Sequence, residues 1–266
     1  MPRLPLILFD IDGTLLAAGD PTHARSITVA CQELFGVAGD PRRADLAGRT
    51  DRYILQTVLA AYGIPPEASA PHLPEAFAFM EDYVARELPA SLVERVLPGV
   101  PALLAALQAH DLALGLVTGN LRRIAQAKLD RAGIWAPFAH EGGGIGGYGD
   151  ASTERADLPP VALAAAEQAL GQPVPAAQAI IVGDTPHDIA CGQACAARTI
   201  AVATGRFSAA ALQACGPDLV LDDLTDTARI VEFVLAEAAG PPRPPMLGET
   251  AASAGTPVAT ARHGGH

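Results

Sequence analysis

Two carboxylates two residues apart, Asp10 and Asp12, directly follow the apolar run from Leu4 to Phe9 and are themselves followed by Gly13 and Thr14. In an extended chain, residues i and i+2 project to the same side, where two ionised carboxylates repel each other. A divalent cation that holds one as a carboxylate, with the other free to carry a proton, resolves this conflict and gives a nucleophile beside a general acid/base. Gly13 permits a tight exit from the extended run, and the Thr14 hydroxyl can tie the turn down. An ordinary solvated loop accommodates an isolated Asp-x-Asp-Gly-Thr equally well, so the choice rests with the rest of the chain.

Other polar groups recur in the same setting. The apolar run Leu112 to Val117 ends in Thr118-Gly119-Asn120, where a hydroxyl and free N–H groups at a helix start suit an anion. The run Ile180 to Val182 leads into Gly183-Asp184-Thr185-Pro186-His187-Asp188. Thr185 as N-cap and Pro186 at the first helical position place Asp188 on the helix and leave Asp184 on the loop. Arg155 stands just before a helix expected through about Leu170, and Arg49 lies in Gly48-Arg49-Thr50-Asp51, ahead of the amphipathic run Tyr53 to Tyr62. The glycine-rich run from Glu141 to Asp150 lacks the Gly-Lys-Ser/Thr ending of a nucleotide-binding loop and reads as a flexible loop near the site.

These groups need elements to position them. Short, nearly unbroken apolar runs alternating with helical patterns predict an α/β fold with a doubly wound parallel sheet, whose ligands bind beyond the carboxyl ends of the strands. Asp10, Asp12, Thr118, Asp184 and Asp188 would then converge on one crevice. Between the first two strands, helices over His23 to Phe35, Tyr53 to Tyr62 and Pro74 to Leu88 form an all-helical insert. The expected organisation is a core of residues 1–16 and 95–238, a helical domain of 17–94, and a tail of 239–266 that is too rich in Pro, Gly, Ala and Thr to bury a core and is read as disordered.

The 29 acidic against 18 basic residues give a net charge of -11, which disfavours nucleic acid and anionic membranes and leaves a small molecule as the expected partner. Lys128 is the only lysine, so any catalytic cation is Lys128 or an arginine. Four scattered cysteines, no 18-residue apolar run, and no basic region leading into a cleavable apolar segment point to a reduced, cytoplasmic protein.

Asp10-x-Asp12-Gly13-Thr14, then Thr118-Gly119-Asn120, a cation, and Gly183-Asp184-x3-Asp188 together resemble the four motifs of the haloacid dehalogenase-like hydrolase superfamily. The helical insert resembles its C1 cap, and Gly48-Arg49-Thr50-Asp51 resembles a cap segment of the phosphoglycolate phosphatase-like branch. The resemblance covers about residues 4 to 238 and implies a Rossmann-like core with an inserted all-α C1 cap, and a phosphatase acting on a small phosphorylated metabolite through an aspartyl-phosphate. It makes Asp10 the nucleophile and Asp12 the acid/base. Asp10, Asp12 (through its carbonyl), Asp184 and Asp188 would hold Mg²⁺, and Thr118, Gly119, Asn120, Arg155 and Arg49 would bind phosphate or substrate. Arg155 takes the third-motif role because Lys128, on the helix after the second motif, stands in the wrong place for the usual lysine. The family also leads one to expect glycine at about position 196, where this chain has Ala196. A hexose-phosphate mutase shares the core residues and remains the alternative, with a catalytically silent phosphate-binding module behind it.

Overall fold

The computed structural model describes residues 5–41, 47–110, 112–140 and 144–239. Most of the segment read as a tail, 240–266, lies outside the described residues. So do Glu141 to Gly143 of the glycine-rich run.

A six-stranded, wholly parallel sheet in the order β3-β2-β1-β4-β5-β6 forms the centre. Its strands are β1 (Leu6–Phe9), β2 (Ala113–Val117), β3 (Gly146–Gly147), β4 (Ala179–Gly183), β5 (Arg198–Val202) and β6 (Leu219–Leu221). Every residue of β1 is buried because both faces are covered. Ile7 and Phe9 join one apolar layer with Leu114 and Val182, while Leu6 and Leu8 join the other with Ala162 and Ile181. This two-sided burial explains why the strands read as unbroken apolar runs. The order reverses beside β1, so the crevice at its carboxyl end is a topological switch point.

Among the described residues, four α-helices form a layer inserted after β1: α1 (Pro21–Phe35), α2 (Asp51–Ala61), α3 (Pro66–Ser69) and α4 (Leu73–Glu87). Asp20 caps α1 by accepting from Thr22 N and His23 N, and Thr50 Oγ1 caps α2 by accepting from Tyr53 N at 3.2 Å. Ile54, Leu55, Val58 and Leu59 bury one face of α2, each contributing about 1.5–3 kcal/mol. The chain enters and leaves this layer side by side. Ala17 N donates to Arg95 O at 2.8 Å, and Leu97 N donates to Leu15 O at 3.0 Å.

The remaining helices are α5 (Val100–Ala109), α6 (Arg122–Arg131), α7 (Leu158–Leu170), α8 (Pro186–Ala194), α9 (Ala209–Gln213) and α10 (Thr227–Ala239). The α/β core and its inserted helical layer match the sequence expectation. The glycine run does not: Gly146 and Gly147 are an edge strand beside Leu116 and Val117, rather than part of a loop. Two glycines carry no apolar pattern, and the crowding explains their choice, because a Cβ on Gly147 would fall 2.1 Å from Leu158 O.

Candidate active site

The carboxyl ends of β1, β2 and β4 open into a cavity of about 470 Å³. Core residues Asp10, Asp12, Arg155 and Asp184 line it from below; His23 of α1, and Arg49 and Asp51 at the start of α2, line it from above.

Two separate polar networks divide the carboxylates. In the first, Arg155 Nη2 lies 2.9 Å from Asp10 Oδ1 and 2.5 Å from Asp188 Oδ1, and it also donates to Val117 O at 3.2 Å. Burial opposes the arginine's charge, but Asp188 and Asp10 outweigh it and raise its affinity for its proton. Asp188 is fixed twice more, its Oδ2 accepting from Thr185 N at 3.0 Å and Thr185 Oγ1 at 2.6 Å in the capping box that starts α8. Gly183 leaves room for it; a Cβ there would fall 2.1 Å from the Asp188 Cγ.

Asp184 completes this first group. Oxygens of Asp10, Asp184 and Asp188 lie within 4.8 Å of one another, and all three residues are buried. Burial pushes Asp10 up to about 6, against the opposing pull of Arg155 and with help from the charge of Asp188. Burial, reinforced by Asp10 and Asp188, pushes Asp184 up to about 8. Three buried carboxylates facing one arginine carry surplus negative charge that a hard, oxygen-seeking cation would neutralise. The space for Asp184 is also built in. Gly13 turns at φ +99, and a Cβ there would fall 2.4 Å from Asp184 Oδ2; Gly205, after β5, approaches the same oxygen. Thr204 Oγ1 donates to Gly13 O at 2.5 Å and ties that loop to the β1 turn.

The second network holds Asp12. Lys128 Nζ donates to its Oδ1 at 2.9 Å and Oδ2 at 2.7 Å, and Asn120 Nδ2 donates to Oδ2 at 2.8 Å. Loss of solvent would raise Asp12, but Lys128, then His23, and the hydrogen bonds from Lys128 and Asn120 prevail and hold it below the usual carboxylate range. Thr118 Oγ1 accepts from Asn120 Nδ2 at 2.8 Å, and Thr118 N is committed to Gly147 O at 3.1 Å. The hydroxyl proton of Thr118 is therefore the group it can offer an anion, not its amide. Arg49 stacks 4.6 Å over the Tyr53 ring, and its buried Nε has no hydrogen-bond partner among the described residues.

The structure thus gathers Asp10, Asp12, Asn120, Arg155, Asp184 and Asp188 and brings Arg49 to the cavity wall. It also places Lys128, which stands in the wrong position for the usual third-motif lysine, directly against Asp12. Its α6 neighbours on the buried face are Ile124, Ala125 and Leu129. A lone lysine at i+4 from Ile124 on an apolar helix face was the signal available for it, since such a charge must find a buried partner. Asp51, His23 and Gly205 were missed as well, because their partners are distant in sequence.

The haloacid dehalogenase-like hydrolase profile matches residues 7–193. A phosphoglycolate phosphatase of Rhodospirillum rubrum is 29% identical over 84% of this chain and 88% of its own. Another, from Caulobacter vibrioides, is 29% identical over 88% of this chain and 94% of its own. Among solved structures, a β-phosphoglucomutase from Clostridium difficile superposes with a TM-score of 0.60 at 17% identity, covering 89% of this chain and 97% of that one. With the profile spanning most of the described core and the acidic crevice at the switch point, the chain belongs to the haloacid dehalogenase-like hydrolase family.

Proposed function

We propose that this protein is a phosphoric monoester hydrolase that uses Mg²⁺ and an aspartyl-phosphate intermediate, with a small phosphoglycolate-like molecule or a sugar phosphate as substrate. One observation carries the reading: the two carboxylates of a single turn face one cavity but belong to different networks, Asp10 with Arg155 and Asp12 with Lys128. Without a metal, burial raises Asp10 and Lys128 holds Asp12 down; a bound cation would keep Asp10 ionised as the nucleophile.

Asp10 and Asp184 are the carboxylates assigned to the metal, with the Asp12 carbonyl. Asp188, both of whose oxygens are already engaged, supports it from outside. When bound, the ion supplies positive charge against the phosphoryl oxygens. An Asp10 oxygen attacks phosphorus, and the bond from phosphorus to the ester oxygen breaks. The departing oxygen takes a proton from Asp12. That proton is available because a dianionic phosphoryl group entering the cavity adds negative charge beside Asp12 and raises its proton affinity. Asp12 then removes a proton from water, whose oxygen attacks phosphorus and breaks the bond to Asp10, freeing phosphate. Arg155 keeps the Asp10 carboxylate aimed, the Thr118 hydroxyl, the Gly119 backbone and Asn120 border the phosphoryl group, and Arg49 meets the far end of the substrate.

Residues 17–94 would act as the cap and 1–16 with 95–238 as the catalytic core, in a cytoplasmic enzyme. No described helix is long and apolar enough to cross a membrane. Phosphate release from a panel of small phosphomonoesters, with and without Mg²⁺, tests the reading; release that ignores Mg²⁺ or Asp10→Asn would refute it.

A further inference from the structure

The helical layer gives the cavity a wall that the hydrolytic step does not use. Ala18, Ala24, Ile27, Ala47 and Ile54 line it, and Ile27 and Ile54 are also packed in the apolar core. Among the described residues of this layer, no serine, threonine, asparagine, glutamine or tyrosine side chain lines the cavity. Its acids and its histidine are engaged already. Asp20 Oδ1 accepts from Thr22 N and His23 N. His23 Nδ1 lies 3.1 Å from Lys128 Nζ and its Nε2 lies 3.0 Å from Asp51 Oδ2, and that Asp51 oxygen also accepts Leu121 N–H at 2.8 Å. Arg49 is the one arginine or lysine that the layer's described residues set on this wall.

The sheet side is no richer in partners for hydroxyls. Asn120 Oδ1 accepts from Lys128 Nζ, and its Nδ2 donates to Asp12 and Thr118. Thr185 Oγ1 donates to Asp188 at 2.6 Å. A sugar brings several hydroxyls, and each one buried without a partner weakens binding about 10- to 100-fold. A hydrocarbon group gains instead, by about fourfold for each carbon buried against an apolar wall. Size points the same way. Phosphoglycolate has nine non-hydrogen atoms, which at roughly 30 Å³ each, the share of a water in the liquid, fill about 270 Å³. The cavity is about 470 Å³, so a metal ion, its waters and a few further carbon atoms fit beside them.

We propose that the substrate is the phosphate ester of a hydroxy acid larger than glycolate, with its carboxylate on Arg49 and a branched hydrocarbon group against Ala24, Ile27 and Ile54. The apolar wall selects this ester over phosphoglycolate, which leaves the wall uncovered, and over sugar phosphates, whose hydroxyls it cannot pair. The inference rests on the phosphatase reading and narrows it. One guanidinium matches one carboxylate through two parallel hydrogen bonds.

The test measures Mg²⁺-dependent phosphate release by the full chain from the phosphate esters of glycolate, lactate and 2-hydroxy-3-methylbutanoate, and from ribose 5-phosphate and glucose 6-phosphate. With each added carbon kcat/KM is expected to rise about fourfold, so that the 2-hydroxy-3-methylbutanoate ester exceeds phosphoglycolate about tenfold or more. Either sugar phosphate should stand about 100-fold or more below the branched ester. Ala24→Leu, which fills the space of the branch, should cost the branched ester about tenfold or more relative to phosphoglycolate. Ala24→Ser, a milder change that sets a hydroxyl on the wall, should narrow the gap to the sugar phosphates severalfold. A sugar phosphate or phosphoglycolate hydrolysed as efficiently as the branched ester would overturn the inference and leave the phosphatase reading standing, as would the wild-type ranking in both variants. Release from none of the esters would refute both.

Discussion

Lys128 Nζ lies 2.7 Å from Asp12 Oδ2, and this contact joins the only lysine of the chain to the second of its two paired carboxylates. Asp10 is served by a different cation, Arg155. Each acid of the turn therefore has its own positive partner, and the two can be perturbed independently. Lys128→Met should lower kcat about 100-fold or more, within the range of general acid–base effects. The lysine's charge holds Asp12 down against desolvation, so its removal raises the pH needed to ionise the base. The acid limb of the kcat–pH profile should move toward neutral pH, which steady-state kinetics across that limb will show. An unmoved limb would dissociate Lys128 from Asp12.

The metal cluster makes a prediction of opposite sign. Asp10 and Asp184 are pushed from 3.8 to about 6 and about 8. A carboxyl raised on folding contributes stability below its ordinary value, and that contribution is lost as pH rises through the folded value. Metal-free protein should therefore lose Tm between roughly pH 4 and pH 8, and Mg²⁺, which binds the ionised groups, should restore more of it at pH 8 than at pH 5. Thermal melts with Mg²⁺ and with a chelator at both values check this. Equal Mg²⁺ shifts at the two pH values would contradict it.

The seam between the helical layer and the sheet is closed by backbone contact. A Cβ on Gly119 would fall 2.0 Å from Arg49 O, and Asp51 N already donates to Gly119 O. Gly119→Ala should force the two apart at a cost of about 1–3 kcal/mol. KM for a small phosphomonoester should rise severalfold and kcat should fall, with amide exchange at Asp51 and Arg52 accelerated. Wild-type kinetics in this variant would mean the seam is not closed during turnover.

Ala196 follows α8 at φ 62 and is the only non-glycine at positive φ among the described residues. A left-handed alanine costs about 1–2 kcal/mol, of which glycine's greater unfolded freedom returns part. Ala196→Gly should therefore stabilise the protein by about 0.5–1 kcal/mol, a gain of roughly 2–4 °C in Tm, with activity unchanged. A differential scanning measurement decides it.

The legible parts of the molecule were those whose causes are local. Leu112 to Val117 and Ile180 to Val182 announced buried strands because both of their faces are apolar, and Thr185-Pro186 announced a helix start because capping is decided within four residues. The missing glycine at Ala196 was legible too, and it marks the left-handed residue. Gly146–Gly147 was not legible, since an edge strand chosen for close packing against Leu158 has no side chains to form a pattern. Lys128 and Asp51 were illegible as site residues for another reason. Their partners lie 116 and 70 residues away, and such meetings are settled only by how the helical layer sits on the sheet.

The most direct test of the central claim is Mg²⁺-dependent phosphate release by wild type and by Asp10→Asn, with ³²P transfer from labelled substrate to protein followed in parallel. The account predicts Mg²⁺-dependent turnover and acid-stable labelling of the wild type, with both lost in Asp10→Asn. Turnover that survives Asp10→Asn, or label carried on another residue, would contradict it.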